Sequence, residues 1–403
     1  MRQSHEALAL REKLQHPLFC RWARFARMSI PLLVAITALL AGCGAISPQS
    51  PPIFLERRYT SSSSPTSGIA IPGKPAISFN PASPIAISLD HYHSLAEFEA
   101  ILMALSTQPL SLGLRRIGTS VEERPIWALG VGSQTAQKEA LIAGLTHGCE
   151  WLGGELALAL ANALLNPSPG EKELVAQALL QTAVWIVPVL NPDGYVLSGE
   201  GDLDRAGDWR KNVRLLGDPP FDPARDGVDL NRNFATQWEG TADRTGAPLG
   251  DSSYPGTAPF SEPETQALRD FAIAHRFFLS VSLHSYGDLL YFPWGFTEDQ
   301  VPDFEDFASL AEGIADRSKV EVSFDFPSGY TPGNSDDYLY GEFGTYAFTM
   351  EIGEGYLITN EMLPSLLVEK LPGLLYAIQE TARLPSLEIP LSTTNVGDPS
   401  STP

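Results

Sequence analysis

The sequence predicts an α/β protein, a single-domain α/β/α sandwich around a mixed, mostly parallel twisted sheet. Short apolar runs rich in β-branched residues alternate with segments of helical periodicity. Polar motifs directly follow several of these apolar runs, and functional sites in such sheets lie where strands end. With 403 residues, 43% of them hydrophobic, the chain can bury one large core.

Seven segments carry this prediction, taken in chain order. The helix candidates have apolar residues at helical spacing, and Ser94 is a candidate N-cap for the first of them. The strand candidates are short apolar runs bounded by polar or turn residues. We predict a helix over 94–105, a strand over 139–147, a helix over 154–165, a strand over 183–192, a helix over 264–275, and strands over 277–285 and 345–353.

Residues 1–42 have the pattern of a signal peptide. Three arginines in 21–27 precede an apolar run over 30–42, which is too short to span a bilayer comfortably. The run ends in LLAGC and resembles a bacterial lipobox, in which Cys43 becomes lipidated. We therefore expect export to a bacterial cell envelope and a membrane anchor on Cys43. A plain signal peptide with a chance cysteine is the alternative.

Two further segments are too rich in proline and serine to form a core. Residues 43–85 are predicted to be a flexible tether, and residues 385–403 a disordered tail. The predicted folded domain is therefore 86–384.

The chain is strongly acidic, with a formal net charge of −21. Nucleic-acid phosphates require a basic surface, so the sequence predicts no nucleic-acid partner. A high negative charge also keeps an exported protein soluble, and this is the simpler interpretation.

The segment LTHGCEWLGGE, 145–155, contains the first candidate site. His147 and Glu150 lie three residues apart, where a predicted strand ends and before a predicted helix begins. Three hypotheses are open for this segment: a pair of metal ligands, a nucleophilic Cys149, or a polar seam at the start of a buried helix. A nucleophilic cysteine needs a neighbouring base, for which the sequence has no pattern, so packing is the simpler role for Cys149.

A third ligand would distinguish among these hypotheses. Catalytic zinc sites use three protein ligands and keep a further position open. His284 lies at the end of the predicted strand 277–285 and is the candidate for the third ligand, since two histidines and a glutamate form a known zinc ligand set.

These residues belong to a set of motifs that resembles the metallocarboxypeptidases of the carboxypeptidase A type. The resemblance covers nearly all of 86–384, with the motifs in the family's order. The six motifs are HGCEW (147–151), NPDGY (191–195), WRKN (209–212), DLNRNF (229–234), LHSYG (283–287) and FTMEIG (348–353).

The resemblance implies a zinc exopeptidase with one Zn²⁺ per chain, which removes the C-terminal residue of a peptide by means of a zinc-activated water. Its substrate would be a peptide with a free C-terminal carboxylate. The implied roles are zinc ligation by His147, Glu150 and His284, general base catalysis by Glu351, oxyanion stabilisation by Arg210, and binding of the terminal carboxylate by Asn231 and Arg232.

Two further residues are implied for substrate binding. Tyr330 matches a mobile tyrosine that closes over the substrate, although Tyr338 and Tyr340 lie close by. Asp336 matches a position at the base of the pocket for the C-terminal side chain, where an acid would favour lysine or arginine. The alternative for Asp336 is that it caps a helix.

Two other functions are kept as alternatives. SEPETQAL (261–268) and GYTPG (329–333) also look like bacterial relatives that cut D-glutamyl–diaminopimelate bonds in murein peptides. A catalytically inactive surface binding module is the second alternative.

Overall fold

The computed structural model describes residues 87–239, 247–324 and 330–387. The predicted signal peptide and tether lie outside these residues, as does the predicted tail beyond Leu387. Leu387 itself packs against the main core. Lipidation of Cys43 stays a prediction. Fatty-acid labelling of the parent protein, lost in Cys43→Ala, is the expected result, and equal labelling of both would contradict it.

Eight helices lie in the described residues, and none of these is long and apolar enough to cross a membrane. Helix α1 begins after the predicted N-cap residue Ser94, which also forms a capping box with Glu97, because the two side chains bond to each other's backbone N–H groups. The helices are α1 Leu95–Leu105, α2 Trp151–Leu165, α3 Lys172–Gln181, α4 Pro192–Leu197, α5 Pro263–His275, α6 Phe304–Ser318, α7 Ser335–Phe343 and α8 Leu363–Thr381.

Eight strands form one mixed sheet in the described part of the chain. They are β1 Ser111–Thr119, β2 Pro125–Val131, β3 Lys138–Gly144, β4 Thr182–Val187, β5 Leu279–His284, β6 Leu289–Tyr291, β7 Glu321–Val322 and β8 Tyr346–Glu351. Their order in the sheet is β1-β2-β4-β3-β5-β8-β6-β7. The central strands β4, β3, β5 and β8 are mutually parallel, with antiparallel neighbours on both sides.

Helices cover both faces of this sheet, which confirms the predicted α/β fold class. The larger core includes buried side chains of α1, α2, α6 and α8, and the smaller core on the other face includes side chains of α5 and α7. All four strand predictions and all three helix predictions fall on observed elements, with ends shifted by up to five residues.

The parallel centre of the sheet determines where the site forms. Strand β5 ends at His284, which lies beside Glu351 at the end of β8. Strand β3 pairs with the other side of β5 and ends at Gly144, just before the segment of His147. Because the three strands run in the same direction, their carboxyl ends bring these side chains to one edge of the sheet.

Candidate active site

His147, Glu150 and His284 form a buried cluster at this edge. One potential ligand atom from each lies within 4.8 Å of the others, and no second such cluster of His, Cys, Asp and Glu occurs among the described residues. Nδ1 of His147 lies 2.8 Å from one Glu150 oxygen, and Nδ1 of His284 lies 2.8 Å from the other. The two Nδ1 atoms are 3.0 Å apart, so the donor atoms converge on one point.

The segment between β3 and α2 holds two of these side chains. Gly148 packs so closely that a Cβ there would lie 2.3 Å from the Gly194 carbonyl oxygen, and its N–H donates to the Arg210 carbonyl. Glu150 is the N-cap residue of α2, but its carboxylate does not cap the helix. It turns instead towards the two histidines.

Asp229 and Ser282 contact the outer nitrogens of the two histidines. An Asp229 oxygen lies 3.1 Å from Nε2 of His147, and the Ser282 hydroxyl lies 2.9 Å from Nε2 of His284. Such partners fix the ring orientation of metal-binding histidines. The motif DLNRNF contains Asp229 but does not by itself indicate this contact, and no sequence pattern indicates the contact of Ser282.

This donor set fits Zn²⁺. Imidazole nitrogens and carboxylate oxygens are common zinc ligands, and three protein ligands leave a further position for water or substrate. Burial alone raises the pKa of the Glu150 carboxyl, but the neighbouring His147 and His284 outweigh it and hold that pKa below its ordinary value. Glu150 is therefore ionised, as a ligand must be.

Glu351 lies at the end of β8, beside the cluster. Burial and the nearby charge of Glu150 raise the pKa of Glu351 to about 7, although Arg210 and Arg232 act in the opposite direction. A carboxyl group with a pKa near neutrality exchanges protons readily at physiological pH, which suits an acid–base role.

Arg210 is held by two carboxylates on the other side of the cluster. Its Nε donates to Asp229 at 3.0 Å, and its Nη1 donates to Glu150 at 3.1 Å. Burial lowers the pKa of Arg210, but the charges of Asp229 and Glu150 outweigh it and raise this pKa above its ordinary value. The guanidinium is therefore a fixed positive charge at the rim of the site.

One cavity of about 150 Å³ joins these groups to the candidate substrate residues. Asn231 and Arg232, on a 3₁₀ turn after Asp229, line it together with Arg210 and Glu351. Asn231 also accepts from the backbone N–H of Ser335 at the start of α7, at 3.0 Å. The turn therefore presents both side chains towards the cavity wall that α7 forms.

Asp336 lies in that wall. It does not cap α7, because Asn334 is the N-cap residue and accepts from the backbone N–H of Asp337. Asp336 instead accepts a hydrogen bond from the Thr349 hydroxyl at 2.5 Å, and both residues line the cavity. Burial raises the pKa of Asp336 to about 6, so the group is mainly ionised at neutral pH.

Tyr330 and Cys149 do not line the cavity. Tyr330 is 42% exposed and is not among the residues that line the cavity. Cys149 is buried and does not belong to the ligand cluster. Burial and the neighbouring Glu150 raise the pKa of the Cys149 thiol to about 12. It is therefore a neutral thiol, which suits packing rather than nucleophilic attack.

Residues 99–371 match the model of the zinc carboxypeptidase family. The chain belongs to this family. The match covers more than half of the sequence, and the zinc-compatible His-Glu-His cluster lies within it. The protein is therefore a metallocarboxypeptidase, a hydrolase whose cofactor is zinc.

Known zinc carboxypeptidases are similar to this chain over more than two thirds of its length. Carboxypeptidase B of Astacus astacus is 30% identical over 293 residues, which cover 68% of this chain and 92% of that protein. The crystal structure of carboxypeptidase A from Helicoverpa armigera has a TM-score of 0.64 and 25% identity, and the match covers 74% of this chain and 75% of that one.

The zinc carboxypeptidase is also similar to a relative named as inactive. An inactive metallocarboxypeptidase of Ajellomyces capsulatus is 28% identical over 357 residues, which cover 78% of this chain. The matched part spans 55% of that relative's length. The family thus includes a protein named as inactive.

Proposed function

We propose that the protein is a zinc-dependent exopeptidase that hydrolyses the C-terminal peptide bond of peptides. The observation that supports this most is that His147 and His284 line the same cavity as Asn231 and Arg232. Cavities of about 150 Å³ in other proteins hold a molecule of the size of benzene. This cavity therefore suits one terminal side chain, with the bond to be cut at its mouth.

The terminal carboxylate of the substrate would bind Arg232 and Asn231. A guanidinium matches a carboxylate through two parallel hydrogen bonds, and both residues line the cavity wall. Peptides with an amidated C-terminus lack the negative charge that this pair recognises, so they would be poor substrates.

The bond would be cut between Arg210 and Glu351. Zinc held by His147, Glu150 and His284 would supply Lewis acidity that activates a water molecule and polarises the carbonyl group. Glu351 would take the proton from that water and pass it to the leaving amine. Arg210 would stabilise the negative charge that develops on the carbonyl oxygen, because its guanidinium is already fixed by Asp229 and Glu150. Tyr330 would close over the bound substrate from its exposed position.

We further propose a preference for C-terminal lysine or arginine. The buried carboxylate of Asp336 lies in the cavity wall. Because solvent screens a buried charge only weakly, this carboxylate would attract the positive charge of a lysine or arginine side chain in the cavity. We expect kcat/KM for peptides ending in lysine or arginine to exceed that for phenylalanine by about 30-fold or more, which corresponds to about 2 kcal/mol. Asp336→Ala is expected to reverse the order. Equal rates for both substrates in the parent enzyme would contradict this preference.

Three substrates separate this function from its alternatives. They are a blocked peptide with a free C-terminus, the same peptide amidated, and a murein tripeptide, each with and without a chelator. Release of the terminal residue from the free peptide alone, abolished by the chelator, is the expected result. Cleavage of the murein tripeptide alone would identify a murein-peptide amidase. Bound zinc without turnover of any substrate would identify an inactive binding module.

A further inference from the structure

Glu262 is a buried carboxylate that the proposed mechanism does not use. It directly precedes helix α5, and 2% of its surface is exposed. One oxygen accepts from Nδ2 of Asn212 at 2.7 Å and from Nε of Arg214 at 2.9 Å. The other oxygen accepts from the Ser261 hydroxyl at 2.8 Å. The carboxylate is thus buried and held by three donors.

The first of these contacts fixes the segment that carries Arg210. Asn212 lies two residues after Arg210 and is fully buried. Its backbone N–H donates to the Val228 carbonyl at 3.0 Å, and its side-chain oxygen accepts from the Val228 N–H at 2.9 Å. Asn212 therefore ties the Arg210 segment both to Glu262 and to the residue that precedes Asp229.

A second contact fixes the turn that carries Asn231 and Arg232. The backbone N–H of Glu262 donates to the side-chain oxygen of Asn233 at 3.2 Å. Asn233 directly follows Arg232, is fully buried, and donates from Nδ2 to the Pro255 carbonyl at 2.8 Å. Glu262 is thus bonded to both segments, through its side chain on one side and its backbone on the other.

A second buried carboxyl group lies close to Glu262. Glu264 is also buried, and one of its oxygens lies 3.2 Å from the same Asn212 nitrogen. Burial and the nearby charge of Glu262 raise the pKa of Glu264 to about 7. The two hydrogens of this amide nitrogen can serve the two acids, so Asn212 is bonded to both of them.

We propose that Glu262 is a positioning residue that sets the distance between Arg210 and the Asn231–Arg232 turn. The inference rests on the proposed function, in which Arg210 contacts the carbonyl group of the bond to be cut, on the penultimate residue, and the turn contacts the carboxylate of the terminal residue next to it. These two groups of a substrate are a fixed distance apart. A shift of one segment therefore weakens one contact whenever the other forms.

The test is steady-state kinetics of the full-length zinc enzyme with a free-acid peptide. Glu262→Ala is expected to raise KM and to lower kcat/KM by about 10²-fold, since displacements of about 1 Å have effects of this size. Glu262→Gln is expected to stay close to the parent, because its amide oxygen can still accept from Asn212. Zinc content should equal that of the parent in both variants.

Glu139→Ala is the matched control. Glu139 lies at the opposite end of β3 from the site and bonds to Trp185 and His275. Its loss is expected to lower the melting temperature without changing KM. A parent-like KM in Glu262→Ala would overturn the proposal.

If Glu262→Ala does not fold, KM is measured for Asn212→Ala instead. This substitution removes the hydrogen bond to Glu262 together with the side-chain contact to the Val228 N–H, and leaves Glu262 paired with Arg214. A raised KM supports the positioning role, and a parent-like KM overturns it. A parent enzyme that releases no residue would instead refute the proposed function itself, so the two failures are distinguishable.

Discussion

Replacing Glu351 by glutamine is expected to lower kcat by about 10³-fold, the range for the loss of a general base. Glutamine has nearly the same shape but cannot accept the proton. Zinc content is expected to stay at the parent level, because Glu351 does not belong to the ligand cluster. Kinetics of both proteins, with zinc measured by elemental analysis on the same samples, check this result.

The pH profile is the internal control for this prediction. The folded protein raises the pKa of Glu351 to about 7, so the base is protonated and inactive below this pH. Bound zinc favours the ionised carboxylate of Glu351 and therefore shifts the acidic limb of the pH–activity profile, where activity falls as the base is protonated, to lower pH. We therefore expect the parent kcat/KM to fall as pH drops through about 7 or somewhat below. The residual activity of Glu351→Gln should lack this limb. A limb of the same shape in the variant would show that Glu351 is not the titrating base.

Replacing His147 by alanine is expected to abolish both bound zinc and activity. His147 supplies one of three converging donors, and its loss leaves Glu150 and His284 as the only protein ligands of the cluster. Metal analysis after dialysis, together with peptide hydrolysis, checks both parts of the prediction.

Cys149→Ala is the matched control, because it changes a buried residue of the same short segment. The Cys149 thiol lies outside the ligand cluster, and burial keeps it neutral. We expect parent-like zinc content and activity. Loss of zinc in the cysteine variant would contradict the assignment of ligands in this segment.

Local sequence patterns predicted the central fold because these elements have strong local signals. Examples of such signals are the N-cap residue Ser94 and the apolar runs of β4 and β5. The hairpin of β1 and β2 was not predicted, since β1 contains glycines and exposed arginines and lacks a buried face. Helix α8 was not predicted either, and it contains Pro372 in its interior, a residue that normally interrupts helical patterns.

The site was predictable to the extent that its residues form motifs. The three members of the metal cluster were predicted from their positions after strands and from the family resemblance. The contacts of Asp229 with His147, and of Glu262 with Asn212, join residues 82 and 50 positions apart. Such partners depend on how loops meet in the tertiary structure, and no local pattern in one sequence specifies them.

The central claim is that this site removes one C-terminal residue with the help of zinc. Intact-mass spectrometry of an N-terminally blocked peptide ending in lysine tests it most directly. We predict a mass loss of one lysine with the parent enzyme, no loss with a chelator, and recovery when zinc is added back. Unchanged peptide in the presence of fully zinc-loaded enzyme, or cleavage that continues under chelation, would contradict the claim.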